Sequence, residues 1–302
     1  MNSGHKGFHL AGVIPVSGQK LEFDMPWHDC LMPLAPNYLA IERSVVECAY
    51  AGCETIWIIC NDDMQPLIRH RLGDYVQDPV MAFRGYLNHY SRFEEQGSKP
   101  IPIYYVPIHP DDRNKKDCLG WSVLHGAYTS WKVARKLSKW LVPERFYVSF
   151  PYGIYDPGIL REHRKQISSD KGFLLSHEGK TVVDGEMLGF TFTPEESKEL
   201  TYEFKRSATS LYKNYPSDGI VRDSKELERY SIDERYSGRF YDIKDVFGSM
   251  ATENTKMVET EKFWNISDWE GYCNFISHRG RSIKRPSENI LKYKEFNGIG
   301  VD

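Results

Sequence analysis

Long apolar runs are missing from this chain of 302 residues. No stretch reaches the about 18 apolar residues that a membrane span needs. The opening MNSGHKGFHL has no apolar core of a secretion signal. A cytoplasmic location without a membrane partner is the expectation. Charge of one sign is scarce too: 39 Lys and Arg stand against 42 Asp and Glu, a formal −3. That balance gives no field to draw in nucleic acid. Several motifs are also absent. There is no G-x-x-x-x-G-K-[ST] phosphate loop, no G-x-G-x-x-G and no G-x-S-x-G, so the chemistries those motifs carry are set aside. The six cysteines (Cys30, Cys48, Cys53, Cys60, Cys118 and Cys273) contain no C-x-x-C pair. Reduced thiols packed as small hydrophobes are expected, and no zinc centre.

What is present is concentrated between Phe8 and Asp74. An apolar run, Phe8 to Val16, ends in Ser17-Gly18 and reads as a strand. After a polar loop, Leu39 to Tyr50 carries apolar residues at helical spacing and reads as an amphipathic helix, closed by Ala51-Gly52. Thr55 to Cys60 is β-branched and aromatic, suited to a buried strand. Met64 to Leu72 reads as a short helix, with Asp62 and Asp63 at its start as caps or as metal carboxylates. Strand, helix, strand, helix is the opening of a parallel α/β sheet, in which ligands sit beyond the carboxyl ends of the strands. Further along, the patterning predicts a helix over Val80 to Gln96 and an edge strand over the proline-bearing Pro100 to Ile108. It then predicts a solvated loop from Asp111 to Asp117, a long helix over Gly120 to Leu141 and a strand over Phe146 to Phe150. Beyond these come a strand over Val182 to Phe192, a helix over Pro194 to Leu211, a polar loop over Ser231 to Arg239 and a helix over Asp242 to Met250. A strand over Met257 to Asn265 and a helix over Asp268 to His278 complete the set. Residues 1–280 read as one domain, and 281–302 as a polar tail.

The ordered set resembles the sugar-1-phosphate nucleotidyltransferases. Ser17-Gly18 stands where that family's phosphate loop begins. Pro26 and Leu31-Met32-Pro33-Leu34 stand for its next element, and Ala51-Gly52 precedes strand two as in the family. Ile68, Leu72, Gly73 and Asp74 resemble its Leu-Gly-Asp helix end. Gly120 to Ala127 resembles the helix start that contacts the nucleobase. Tyr241 to Phe247 resembles the segment before the last core strand, and Phe263-Trp264-Asn265-Ile266 with Glu270 and Tyr272 resembles W-x-D-I-G-T-x-E-x-Y. The resemblance implies a three-layer, Rossmann-like (GT-A-like) α/β fold with a mixed, mostly parallel sheet and helices on both faces. It implies binding of a nucleotide or nucleotide sugar and a sugar phosphate, and transfer of a nucleotidyl group from an NTP to a sugar-1-phosphate with Mg²⁺. Ser17, Gly18, Gln19, Gly120, Trp121 and His125 would then line the nucleotide site, and Glu186 would meet sugar hydroxyls.

The departures from the pattern fall on the chemistry. The loop has no second glycine and no arginine; Lys20 is its one basic residue, and Trp27 or His28 stands where the family has a lysine. Lys20 and His28 become the candidate catalytic cations, although a solvated lysine and a packed histidine fit the same positions. The first metal-binding Asp is replaced by Pro151-Tyr152, with Asp156 the nearest carboxylate, and the second aligns with Asn265. The implied Mg²⁺ would rest on Asp156 and Asn265. Phosphoryl chemistry depends on positioning and charge neutralisation. Two other readings therefore stand beside transfer: a catalytically degenerate descendant that binds or scaffolds, and a GT-A-type glycosyltransferase using an NDP-sugar. His109, Asp111 and Asp112 form a second polar cluster, read as solvated loop. The aromatic richness leaves room for a homo-oligomer.

Overall fold

The computed structural model describes residues 8–19, 24–78, 100–109, 118–208, 241–278 and 283–286. The helix expected over Val80 to Gln96, the loops Asp111 to Asp117 and Ser231 to Arg239, and most of the 281–302 tail lie outside them. The strands, in chain order, are β1 (Leu10–Pro15), β2 (Pro33–Ala35), β3 (Tyr38–Leu39), β4 (Thr55–Ile59), β5 (Tyr75–Gln77), β6 (Pro100–Val106), β7 (Arg145–Val148), β8 (Gly153–Ile154), β9 (Gly172–Ser176), β10 (Phe190–Phe192), β11 (Thr255–Glu259) and β12 (Trp264–Asn265). The helices are α1 (Ala40–Ala51), α2 (Gln65–Leu72), α3 (Leu119–Leu137), α4 (Gly158–Ile167), α5 (Pro194–Ala208), α6 (Ile243–Phe247) and α7 (Trp269–Ser277).

Eight strands make one mixed sheet in the order β11-β9-β10-β7-β1-β4-β6-β5. β1 pairs in parallel with β4 and with β7, and β4 pairs in parallel with β6. β1 is buried at every position. A strand covered on both faces has no solvent side, which is why its sequence runs apolar without alternation. Gly126 of α3 fits against the side chains of Val13 and Ile59, while Gly12 meets Cys48 of α1 and Cys53 on the opposite face. The three-layer α/β architecture with helices on both faces is thus as the sequence implied. Numbered by their order in the chain, the four contiguous parallel strands β6, β4, β1 and β7 lie 3-2-1-4, so the winding reverses between β1 and β7. Ligands of open α/β sheets bind at such a switch point, beyond the strand ends. Among the described residues no helix is long and apolar enough to cross a membrane.

Three expected elements differ. Pro100 to Ile108 is not the edge: β5 pairs antiparallel outside it. Ile103 N–H donates to the Asp74 carbonyl on that outer side. Pro100 and Pro102 alternate with it, so their missing donors face the other way, where pairing with β4 starts only at Ile103. Val182 to Phe192 is not one strand. Val182–Asp184 forms a 3-10 turn capped by Thr181 and closed at Gly185, and only Phe190–Phe192 joins the sheet. Met257 to Asn265 splits in two. β11 extends the main sheet, whereas β12 pairs with β8 in a separate ribbon.

α1 departs from the amphipathic expectation as well: all twelve of its residues are buried, three of them charged. Glu42 pairs with Arg71 at 2.8 Å. Arg43 and Glu47 are both fully buried and 2.8 Å apart. Glu47 accepts hydrogen bonds from Tyr147 at 2.6 Å, from Ser149 at 2.6 Å and from Tyr155. Arg43 donates to the Phe150 carbonyl at 2.7 Å, and its guanidinium lies 4.7 Å from the Tyr155 ring centre. Burial pushes the Tyr147 and Tyr155 hydroxyls well above the usual phenol range, so both stay protonated donors. Removing one partner of a buried pair strands the other charge. Glu47→Gln is expected to lower the unfolding free energy by about 3–5 kcal/mol, read as a shifted urea midpoint. A loss under about 1 kcal/mol would show that the pair does not hold β7 in place.

Candidate functional site

Where β1 ends, Ser17 ties three elements together. Its N–H donates to the Ile59 carbonyl at 2.8 Å. Its hydroxyl donates to the Asn61 side-chain oxygen at 2.9 Å, and its carbonyl accepts from the Ser122 hydroxyl at 2.6 Å. Gly18 follows at φ +87°, and a side chain there would come within 2.4 Å of the Cys118 backbone. Both the left-handed backbone and the close crossing require glycine. Cys118 caps α3, its Sγ accepting the Trp121 N–H. The start of α3 is thereby set directly over the switch point, where helix N–H groups face a ligand.

Beyond Gly18 opens a cleft of about 380 Å³. Its walls are Gly18, Gln19 and Leu119 on one side, with Asp184, Gly185 and Met187 from the turn before β10. Tyr241 to Lys244 at the start of α6, with Asn265 and Ser267, complete it. Gln19 Nε2 reaches the Ser267 carbonyl at 3.4 Å across the mouth. Tyr152 fixes the Asn265 wall. It is fully buried, its hydroxyl donates to the Val16 carbonyl at 3.1 Å, and its own carbonyl accepts the Ile266 N–H at 2.9 Å. Next to it Gly153 opposes Asn265, and a side chain there would lie 1.9 Å from the Met187 carbonyl.

The candidate residues divide. Gly18, Gln19 and Asn265 share the cleft. Ser17 is buried just below it, its groups engaged as described. Gly120 packs against Val246 of α6. Glu186 lies between the cleft residues Gly185 and Met187, its N–H donating to the Thr181 carbonyl at 3.1 Å. Trp121 and His125 line a separate, larger cavity between α3 and α5, and Trp121 stacks on Phe204 with ring centres 5.8 Å apart. Lys20, Asp111 and Asp112 lie outside the described residues. Sequence reasoning missed Lys244 as the cleft's amine and Tyr152 as its anchor. Lys244 comes near only because α6 packs on the 182–184 turn, which no local spacing announces. Tyr152 was legible as a gap in the expected carboxylates.

The donor set does not fit a magnesium ion held by protein groups alone. Asp156 is exposed and accepts the Gly158 N–H at 2.9 Å at the start of α4, outside the cleft lining. The Asn265 oxygen accepts the Ser267 N–H at 3.0 Å. Asp184 is turned to Thr181, accepting its N–H at 3.0 Å. Asp63 accepts the Met64 N–H at 3.0 Å, at the start of α2. Among the described residues no group of three or more His, Cys, Asp or Glu side chains is placed to hold a metal ion.

His28 and Asp29 do meet, with His28 Nδ1 2.9 Å from Asp29 Oδ1. Cys30 N–H lies within reach of both, 3.3 Å from Nδ1 and 3.0 Å from Oδ1. Because the carboxylate serves Cys30 better, Nδ1–H donates to Asp29 and Nε2 is left for other contacts. Asp29 is buried with its Oδ2 unbonded. Burial raises its carboxyl above the usual range, against the pull of His28. A raised value means that the folded protein holds this proton more tightly than the unfolded chain does. The stability that Asp29 contributes is therefore full below about pH 4 and declines as pH rises through the raised value. Asp29→Asn abolishes that decline. Urea unfolding of both proteins from pH 4 toward neutrality is expected to show the wild type losing ground to the variant. A flat difference would mean that the folded and unfolded chains hold the Asp29 proton equally.

No protein-family profile matches the sequence, and no curated protein is similar to it in sequence. Solved structures are similar in shape. A Bacillus anthracis protein assigned as a glucose-1-phosphate thymidylyltransferase, in complex with sucrose, matches with a TM-score of 0.53 and 10% identity over 92% of this chain and 97% of that one. A UDP-glucose pyrophosphorylase complexed with UDP-glucose matches at 0.51 and 13% identity, over 89% and 97%. A nucleoside-diphosphate-sugar pyrophosphorylase from Vibrio cholerae matches at 0.50 and 12%, over 88% and 100%. The chain has the fold of the sugar-nucleotide pyrophosphorylases.

Proposed function

We propose that the chain binds a nucleotide sugar, or the NTP and sugar-1-phosphate from which one is made, in the cleft beyond β1. Its reaction class is nucleotidyl transfer with release of pyrophosphate. The observation that carries this reading is the position of the cleft, at the switch point and under the start of α3. A fold shared with proteins named for that chemistry supports it. In the transfer an oxygen of the sugar phosphate attacks the α-phosphorus in line, and the bond to the pyrophosphate oxygen breaks. Lys20, which follows Gln19 in the chain, and Lys244 across the cleft are the cations that would offset the negative charge, with His28, outside the cleft lining, as a further candidate. Gln19 and Asn265 would orient the ligand from opposite walls.

A specific observation favours a second reading, a descendant that binds without transferring. Tyr152 occupies the place where the resemblance expects a metal-binding carboxylate, and it is locked to the Val16 carbonyl. The test is thermal unfolding with each NTP and a panel of NDP-sugars, with and without Mg²⁺, alongside a pyrophosphate-release assay with NTP and sugar-1-phosphate. A ligand at about 100 times its Kd is expected to stabilise by about 2.7 kcal/mol, a rise of a few degrees. Gln19→Ala and Asn265→Ala are each expected to weaken binding by about fivefold, one hydrogen bond's worth. A shift without pyrophosphate release assigns the binding descendant, and slow NDP release from an NDP-sugar assigns a glycosyltransferase. No shift with any ligand removes the proposal.

A further inference from the structure

We propose that the groove between α3 and α5 is a second ligand site, separate from the cleft, for a small amphipathic anion: an aromatic or apolar body carrying one acidic group. The groove holds about 620 Å³, within the range of small-molecule sites of about 300–1,000 Å³. It shares no lining residue with the cleft. Its floor is apolar, made by Trp121, Leu124 and Phe146, of which Phe146 is almost fully buried. Tyr128 and Tyr202 stand exposed at its rim, one on each helix. Flat rings on floor and rim suit a ring-shaped or chain-like apolar body.

Charge fixes the other half of the ligand. Among the described residues the lining has two lysines, Lys132 from α3 and Lys198 from α5, and no carboxylate. Both amines are held over the groove's own rings. Lys132 Nζ is 5.5 Å from the Tyr128 centre, and Lys198 Nζ is 5.2 Å from the Trp131 centre. Arg135 lies 5.0 Å from that same Trp131 ring and adds a third cation. Of the two acids at the start of α5, neither of which lines the groove, Glu196 accepts the Thr193 N–H at 2.6 Å. Cations brought together from two helices over an apolar surface repel one another, and an anion between them relieves that repulsion. A neutral ligand would leave it in place. Hydroxyls of Thr129, Ser197 and Thr201 supply neutral hydrogen bonds nearby.

The test uses the full chain and two fluorescent probes of nearly one shape, 8-anilinonaphthalene-1-sulfonate and the uncharged N-phenyl-1-naphthylamine. The sulfonate is expected to bind saturably, one per chain, without lowering the thermal midpoint. The double variant Lys132→Ala with Lys198→Ala is expected to raise its Kd by about tenfold, the loss of charge-assisted contacts, and to leave the neutral probe within about twofold. Thr201→Trp, which fills the groove, is expected to remove both probes while leaving any NDP-sugar shift intact. The proposal is overturned if the lysine variant binds both probes as the wild type does. It is equally overturned if both probes are lost together in that variant, or if a nucleotide displaces the sulfonate competitively. Because the groove and the cleft share no lining residue, failure of the groove and failure of the nucleotide reading give different results.

Discussion

Glu47 is the group on which the rest of the described structure depends. A carboxylate with no access to water is costly unless every oxygen is served, and here each is: Arg43 from one turn earlier in α1, Tyr147 and Ser149 from β7 and its end, and Tyr155 from beyond β8. These contacts set α1 against the carboxyl end of β7 more specifically than apolar packing could. Arg43, reaching the Phe150 carbonyl, extends the same constraint to the residues that carry Tyr152. Through the bonds of Tyr152 to Val16 and Ile266, the constraint passes to the cleft walls. A buried carboxylate held from several elements at once restrains them all, and restraint at the strand ends is what a binding site needs.

The cleft itself is assembled from approaches that tolerate almost no atoms. Gly18 passes under Cys118, and Gly153 lies against the Met187 carbonyl. Ser17 uses its N–H, hydroxyl and carbonyl to bind three elements to one point. The resemblance assigned this serine and glycine to phosphate. They also serve as the junction of β1, β4 and α3, so changes there would disturb folding and binding together. Two carboxylates are spent on local caps, Asp184 on Thr181 and Asp156 on Gly158, and Asp242 at the start of α6 is the other carboxylate of the lining. That leaves the site short of the acidic oxygens that metal-assisted transfer would use.

α3 links the two concave sites. Its first turn roofs the switch point, and Trp121, two residues after the cleft residue Leu119, already faces the groove shared with α5. Because Ser122 bonds back to Ser17, the same turn is anchored to the end of β1. A helix fixed so firmly at its start can carry a wall of each site without either wall drifting.

The sequence by itself determined the parallel α/β core. The apolar run before Ser17-Gly18, the stop at Ala51-Gly52 and the β-branched strand at Thr55 to Cys60 each follow from local periodicity and turn chemistry. Local signals span few residues, so they survive without knowledge of neighbours. The tertiary structure alone decided the rest. The charges of α1 read as a solvent face, yet Glu42, Arg43 and Glu47 are buried, because beside the Arg43–Glu47 pair within the helix they have partners 29 to about 108 residues away. The prolines of β6 suggested an edge that β5 in fact covers, since pairing with β4 starts after them. Trp121 and His125 followed the nucleotide motif in sequence but face another groove. A helix turns about 100° per residue, so which face meets which wall is fixed only when α5 and α6 pack beside it.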